Sequence, residues 1–226
     1  MIILGSSSPR RKDILDMMGV KFKVVKPIVD EDSIRAKFDI KNGDDKCDLV
    51  KELAHSKLKS IEKDFSSDTI LCADTLVFLG NEALGKPKDH EDAKRMLREL
   101  LGKTHEVITG VSIKKDGEVR TFSVETKVKF RENSELISRL IEEYVESGES
   151  DGKAGAYGIQ DSGALFVDSI DGDYFNVVGL PIDAVLGVMK YFKNATKATD
   201  FIVGIFGKSR EYFKLLFVWS CLFGST

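Results

Sequence analysis

Apolar residues along the chain fall into two periods that alternate from one end to the other. Ile2–Leu4 reads as a short buried strand, followed by a helical stripe of Ile14, Leu15 and Met18. Ser8 stands where an N-cap belongs, Pro9 at the first helical position and Gly19 at a stop. Lys21–Val25 returns to strand character and ends near Pro27, which leaves Val29-Asp30-Glu31-Asp32 as an acidic loop. From Asp48 to about Lys63 the period is helical again, carried by Leu49, Val50, Leu53, Leu58 and Ile61, with Ala54 and Lys57 on neighbouring faces.

The segment Thr69–Phe78 is a nearly unbroken apolar run, the pattern of a strand buried on both faces, interrupted by one carboxylate, Asp74. Asn81 marks a turn, and Gly85-Lys86-Pro87 breaks the chain before a helix from about His90 to Leu101, stopped by Gly102. Glu106–Ile113 and Val119–Phe130 read as a hairpin around Asp116-Gly117, and the later part alternates in the manner of a strand with one wet face, which predicts an exposed antiparallel element. Ser134–Glu146 predicts an amphipathic helix and 147–163 a glycine-rich loop. Ala164–Ile170 and Phe175–Val178 have strand character, and Pro181–Phe192 reads as a closing helix. Strands alternating with helices, plus one hairpin, predict an α/β protein with a mixed central sheet.

With 226 residues, 42% of them hydrophobic, the chain can bury a substantial core in one large domain or two small lobes. The formal charge of −3, from 34 Lys and Arg against 37 Asp and Glu, argues against a strongly basic nucleic-acid binder, so any anion site must be local. Cys47, Cys72 and Cys221 are odd in number and share no metal-ligand spacing, which fits a reducing, cytoplasmic setting better than a disulfide framework. The apolar stub Met1–Leu4 is too short for a signal-peptide core. Residues 194–226 differ in kind: aromatics concentrate there, and the last 12 residues, from Leu215, carry no charge. That stretch falls short of the roughly 20 apolar residues of a spanning helix, so no transmembrane segment is expected. A packed or partner-binding helix, a disordered tail and a membrane-associating segment all remain open for it.

Three cations, Arg10, Arg11 and Lys12, occupy the first turn of the first predicted helix, where the macrodipole disfavours each by about 0.3–1 kcal/mol. An anion placed against them and the free amides would reverse that sign; a solvated basic turn is the plainer alternative. Asp74 inside an apolar strand needs either a structural partner or a functional reason, because an unpartnered buried carboxylate costs several kcal/mol. An acid from Val29–Asp32 meeting Asp74 would provide the oxygen ligands that Mg²⁺ prefers. Lys57 and Lys86 are individually weak signals, Lys86 the better because a glycine and a proline fix its backbone. In 151–160 small residues allow close backbone approach to a ligand, with Tyr157 and Gln160 as polar groups. His105 reads more readily as a satisfied structural histidine than as a base. Together these features point to phosphate chemistry on a nucleotide, assisted by a divalent metal.

From residue 1 to about 193 the sequence resembles the Maf family of nucleoside triphosphate pyrophosphatases. The resemblance rests on Ser8-Pro9-Arg10-Arg11, Ala54 with Lys57, Ala73-Asp74-Thr75, Gly85-Lys86-Pro87, His105 through Thr109, Lys153 through Gln160, and Gly172 through Pro181. It divides the chain into a pyrophosphatase domain, 1–193, and an extension, 194–226. It implies an α/β fold like that of inosine triphosphate pyrophosphatases, two lobes on a mixed sheet with a cleft between them, commonly a homodimer.

The implied reaction is hydrolysis of a nucleoside triphosphate between the α and β phosphates, dependent on Mg²⁺ or Mn²⁺. Asp74 would activate water, Glu31 and Asp74 would flank the metal, and Lys57 and Lys86 would act with Arg10 and Arg11 on the polyphosphate. Ser8 would hold phosphate oxygens. Arg10, Thr75 and Gln160 match the branch resembling dTTP and UTP pyrophosphatases, house-cleaning enzymes that remove pyrimidine triphosphates or modified analogues. A nucleotide-binding regulator of cell division, using the same pocket without turnover, is the alternative. One departure from the pattern is Asp161, where glycine is usual, which adds a negative charge beside the supposed base pocket.

Overall fold

The computed structural model describes residues 1–193, so the aromatic extension and Cys221 lie outside the described residues. The strands are β1 (Ile2–Gly5), β2 (Phe22–Val25), β3 (Thr69–Leu79), β4 (Glu82–Leu84), β5 (Thr104–Lys115), β6 (Glu118–Phe130) and β7 (Val167–Asp171). The helices are α1 (Pro9–Met17), α2 (Glu31–Arg35), α3 (Gly43–Ile61), α4 (His90–Leu100), α5 (Glu135–Glu146), α6 (Tyr174–Val178) and α7 (Ile182–Lys193). Short 3₁₀ turns at Ala154–Ala156 and Ser162–Phe166 complete the framework.

The seven strands form one mixed sheet in the order β2-β1-β3-β5-β6-β7, with β4 folded back on β3. Strands β2 and β3 run parallel to β1, and the remaining pairings are antiparallel. The α/β class and mixed sheet expected from the alternating periods are therefore present.

Period-2 geometry sorts the side chains of β3 between two cores. Leu71, Ala73 and Val77 face α1, α4 and α5, in a cluster that includes Ile14, Leu15, Leu97 and Ile141. Ile70, Cys72, Leu76 and Phe78 face α3, where Leu49, Val50, Leu53, Leu58 and Ile61 meet them. Each fully buried aliphatic or aromatic side chain contributes about 1.5–3 kcal/mol, so both faces of β3 are strongly specified. The same alternation sends Asp74 towards α3 and Thr75 towards α1.

Several elements differ from the sequence expectations. The acidic stretch after Pro27 is not all loop: Glu31 opens α2, capped by the Asp30 carboxylate accepting from the Ser33 amide. Helix α3 begins at Gly43, not Asp48, because Asn42 and Asp45 form a reciprocal capping box there. Strand β4 was not anticipated. The 106–130 hairpin turns at Asp116-Gly117, both at positive φ; its later strand β6 alternates exposed with buried positions towards Phe130, as expected, but β5 lies at the sheet's centre and is buried almost throughout, so the element as a whole is not exposed. Phe175–Val178 is helical instead of extended, since the Asp173 carboxylate caps it and Gly179, at φ 125°, ends it. Of Ala164–Ile170, only Val167 onwards is strand.

Candidate active site

Beside the C-terminal half of β3 lies a cleft of about 570 Å³, a size suited to one small ligand. Its walls come from the β1–α1 turn (Ser6–Arg11), the 26–35 segment, α3 at Lys57, the β4–α4 turn at Gly85-Lys86, the glycine loop and Gly179. Of the predicted site residues, Ser8, Arg10, Arg11, Glu31, Lys57, Asp74, Thr75 and Lys86 all line it. Gln160 does not: it is exposed, while its neighbours Gly158 and Ile159 line the wall.

The centre of the site is an alternating row of charges. Lys57 reaches down from the buried face of α3 and contacts Asp74 Oδ1 directly. The same ammonium lies 2.9 Å from Glu31 Oε1, and Glu31 Oε2 lies 3.1 Å from Arg35 Nη2. Burial pushes the Glu31 carboxyl up, but Lys57, Lys86 and Arg35 outweigh it and hold the group below its ordinary value. Asp74 Oδ2 is buried and has no hydrogen-bond partner, in a side chain only 8% exposed. An orphaned carboxylate oxygen is costly, and its cost is explained if a ligand supplies the missing partner.

The three cations of the first helical turn part company. Lys12 faces solvent and pairs with Asp16, so it is not part of the site. Arg11 is buried at the inner wall, where it donates from Nε to Gly179 O at 2.7 Å, from Nη1 to Ser6 Oγ at 3.2 Å and from Nη2 to Thr75 Oγ1 at 2.9 Å. Thr75 in turn lies 2.9 Å from Thr109 Oγ1, which donates to Asn176 O at 3.0 Å. Arg11 thus braces the cleft wall against α6. Arg10 is half-buried; desolvation lowers its guanidinium and the nearby Asp161 partly restores it. Ser8 caps α1 with extended backbone but no side-chain cap bond, which leaves its hydroxyl free for a ligand.

In the glycine loop, the Tyr157 hydroxyl is spent on His105 Nε2 at 2.8 Å. His105 is buried among Phe130 and Tyr157 and does not line the cleft; the expectation of a satisfied ring is met only at Nε2, since Nδ1 is buried without a hydrogen-bond partner. Asp161 is held by Lys153 Nζ at 2.6 Å, which offsets part of the extra negative charge, and Arg10 feels the rest.

Two cleft cations were absent from the sequence reading, Lys26 and Arg35. Arg35 was legible in principle, four residues after Glu31 on a helix announced by the Asp30/Ser33 cap. Nothing in the sequence distinguishes Lys26 from a surface lysine.

No metal-binding group of three or more His, Cys, Asp or Glu is present among the described residues. Glu31 and Asp74 nevertheless fit Mg²⁺ or Mn²⁺: the Lys57 ammonium bridges Glu31 Oε1 and Asp74 Oδ1, so two hard carboxylate oxygens converge on one positive charge and suit an ion that takes its other ligands from water and substrate phosphates, while Asp74 Oδ2 stays bare.

Six cations and three carboxylates around a single cleft, on an α/β sheet with a helix N-terminus at its edge, make a site whose charge suits a polyphosphate. The family model described as Maf-like protein matches residues 1–192. Curated relatives named dTTP/UTP pyrophosphatase include one from Thermosipho africanus, 46% identical over 188 residues covering 83% of this chain and 91% of the relative. Others come from Dictyoglomus thermophilum, 44% identical over 80% of this chain and 90% of the relative, and Pyrococcus furiosus, 44% over 84% and 94%. The chain belongs to the Maf-like family.

Proposed function

We propose that the protein is a nucleoside triphosphate pyrophosphatase that hydrolyses dTTP and UTP to the monophosphate and pyrophosphate, with residues 1–193 as the enzymatic domain and 194–226 as an extension. The observation that carries this reading is the Asp74 carboxylate, gripped by Lys57 on Oδ1 and bare on Oδ2. A bare oxygen beside a cationic cleft is placed to accept a proton from water. A regulator without turnover has no use for it, and that alternative is not favoured.

Arg10 and the free amides of α1 hold the polyphosphate, and Ser8 adds a hydroxyl. Lys57 and Lys86 face the charge that gathers on the leaving pyrophosphate, where preorganised cations act without reorganisation. Asp74 Oδ2 takes the proton of the attacking water as its oxygen bonds to the anhydride phosphorus; the bridging P–O bond breaks and its electron pair leaves with pyrophosphate. Mg²⁺ or Mn²⁺ held by Glu31 and Asp74 would polarise phosphoryl oxygens and offset their charge. Arg11 acts through Gly179 and Thr75, keeping the wall in register. Gln160, at the rim beside Ile159, is assigned to the pyrimidine edge, its amide able to accept from N3–H and donate to a ring carbonyl. On the family resemblance we place the protein in the cytoplasm as a homodimer.

The test is pyrophosphate release from dTTP, UTP, CTP, GTP and 7-methyl-GTP with Mg²⁺ or Mn²⁺. Turnover of dTTP and UTP well above the purines is expected; a preference for 7-methyl-GTP would overturn the branch assignment, and no turnover by folded protein would overturn the reaction.

A further inference from the structure

Arg35 is bound through both terminal nitrogens of its guanidinium to carboxylates of its own helix, one of them Glu31 at the cleft. Nη2 lies 3.1 Å from Glu31 Oε2 and Nη1 3.5 Å from Asp32 Oδ1. Nη1 also lies 3.7 Å from where a Cβ on Gly85 would stand, so that end of the fork lies beside Gly85, the residue before Lys86. The Nε atom is buried and unpartnered, which leaves the side chain no competing hydrogen bond to draw it away. Glu31 is therefore held from behind by one cation and approached from the front by another, Lys57, at Oε1.

We infer that Arg35 is a positioning residue that fixes Glu31 as an oriented, one-oxygen ligand for the divalent cation. It rests on the pyrophosphatase reading and its metal. Because Arg35 occupies Oε2, the oxygen presented towards Asp74 is Oε1, the one Lys57 now holds. Glu31 Oε1 and Asp74 Oδ1, the two oxygens Lys57 now bridges, would hold the cation, and Arg35 would keep Glu31 Oε2. A monodentate carboxylate matches the small ion, which uses one or two such ligands and fills the rest with water and phosphate. The short helix α2 makes this possible, since its i,i+4 spacing carries Glu31 and Arg35 on one face.

Two effects compete when Arg35 is changed. Removing its charge relieves repulsion of the incoming cation and favours binding; losing the fork frees Glu31 and opposes it. Arg35→Lys separates them, because it keeps the charge and loses the planar fork. Mn²⁺ binding to the nucleotide-free protein, followed by the EPR signal of free Mn²⁺, reads the site without turnover. Arg35→Lys should weaken Mn²⁺ by about 10–100-fold, the usual cost of losing a partner behind a metal ligand. Its KM for dTTP at saturating Mn²⁺ should stay within about twofold of wild type, with a wild-type thermal midpoint. Unchanged Mn²⁺ affinity in Arg35→Lys overturns the inference alone. So does a KM for dTTP raised tenfold with Mn²⁺ affinity intact, which makes Arg35 a phosphate ligand, and so does tighter Mn²⁺ binding by Arg35→Gln with normal turnover, which makes it only a repelling charge. Wild-type protein that binds no Mn²⁺ overturns both this inference and the metal reading beneath it.

Discussion

Gly110→Ala is predicted to damage the active site from the opposite side of the sheet. Gly110 pairs with Asp74 across β3 and β5, and its α-hydrogens face α3. A Cβ there would sit 2.0 Å from Val50 O, 2.3 Å from Val50 C and 2.8 Å from the Lys51 amide nitrogen. A carbon–oxygen contact closes at about 3.3 Å, so the helix must lift by roughly 1 Å. These are backbone atoms in the middle of a helix and have no rotamer to escape into. Overpacking of this kind costs about 1–3 kcal/mol, and the upper end applies because Leu49, Val50, Leu53 and Phe78 all lose contact together. Lys57 stands two turns from Val50 on the same face, so the lift also pulls its ammonium from Asp74. A 1 Å misplacement of a reacting group costs about 10²-fold in rate. Urea unfolding and steady-state kinetics on the folded variant read both consequences: about 3 kcal/mol less stable, with kcat lowered about 100-fold. A variant within 0.5 kcal/mol of wild type, with kcat within about twofold, would refute the argument that glycine is there for helix approach.

Three further outcomes follow from buried groups. Burial takes the His105 imidazole from its ordinary 6.5 down to about 4, so the unfolded chain takes up that proton first and the group's stabilisation, complete above about pH 6.5, is lost as pH falls towards 4. Between pH 7 and 5 urea unfolding should show His105→Gln losing about 2 kcal/mol less stability than wild type; equal losses would contradict a neutral, buried ring. Thr75→Val removes the hydroxyl between Arg11 Nη2 and Thr109 Oγ1 and should cost about 1–3 kcal/mol in thermal unfolding, an unchanged midpoint arguing that Arg11 finds another partner. Asp161→Asn removes a carboxylate that competes for Arg10, so KM for dTTP should fall several-fold; a raised KM would make Asp161 part of substrate recognition.

Much of the site was visible because its residues break local rules. Asp74 stands out as the one charge in a doubly buried strand, and Arg10 and Arg11 as cations at a helix N-terminus. The roles within that turn were also encoded: Arg11 falls on the same face as Ile14, Leu15 and Met18, which is why it is buried, whereas Lys12 falls on the solvent side. Helix α2 was hidden because five residues carry no apolar period, and with it went Arg35. Phe175–Val178 is four apolar residues long, too short for periodicity to separate strand from helix, and the decision lay in the Asp173 cap and Gly179. The central position of β5 depends on which strands pair with it, information that no window of its own sequence holds. Gln160 shows the same limit: its side-chain type suits a pyrimidine, but its exposure is set by the turn that carries it.

The claim that Asp74 activates water for attack on a pyrimidine triphosphate is tested most directly by comparing pyrophosphate release from dTTP by wild type and Asp74→Asn, each confirmed folded by circular dichroism and thermal unfolding. The account predicts metal-dependent release by wild type and a kcat at least 10²-fold lower for the variant, the scale of general-base catalysis. A folded Asp74→Asn protein that turns over dTTP at the wild-type rate would contradict it.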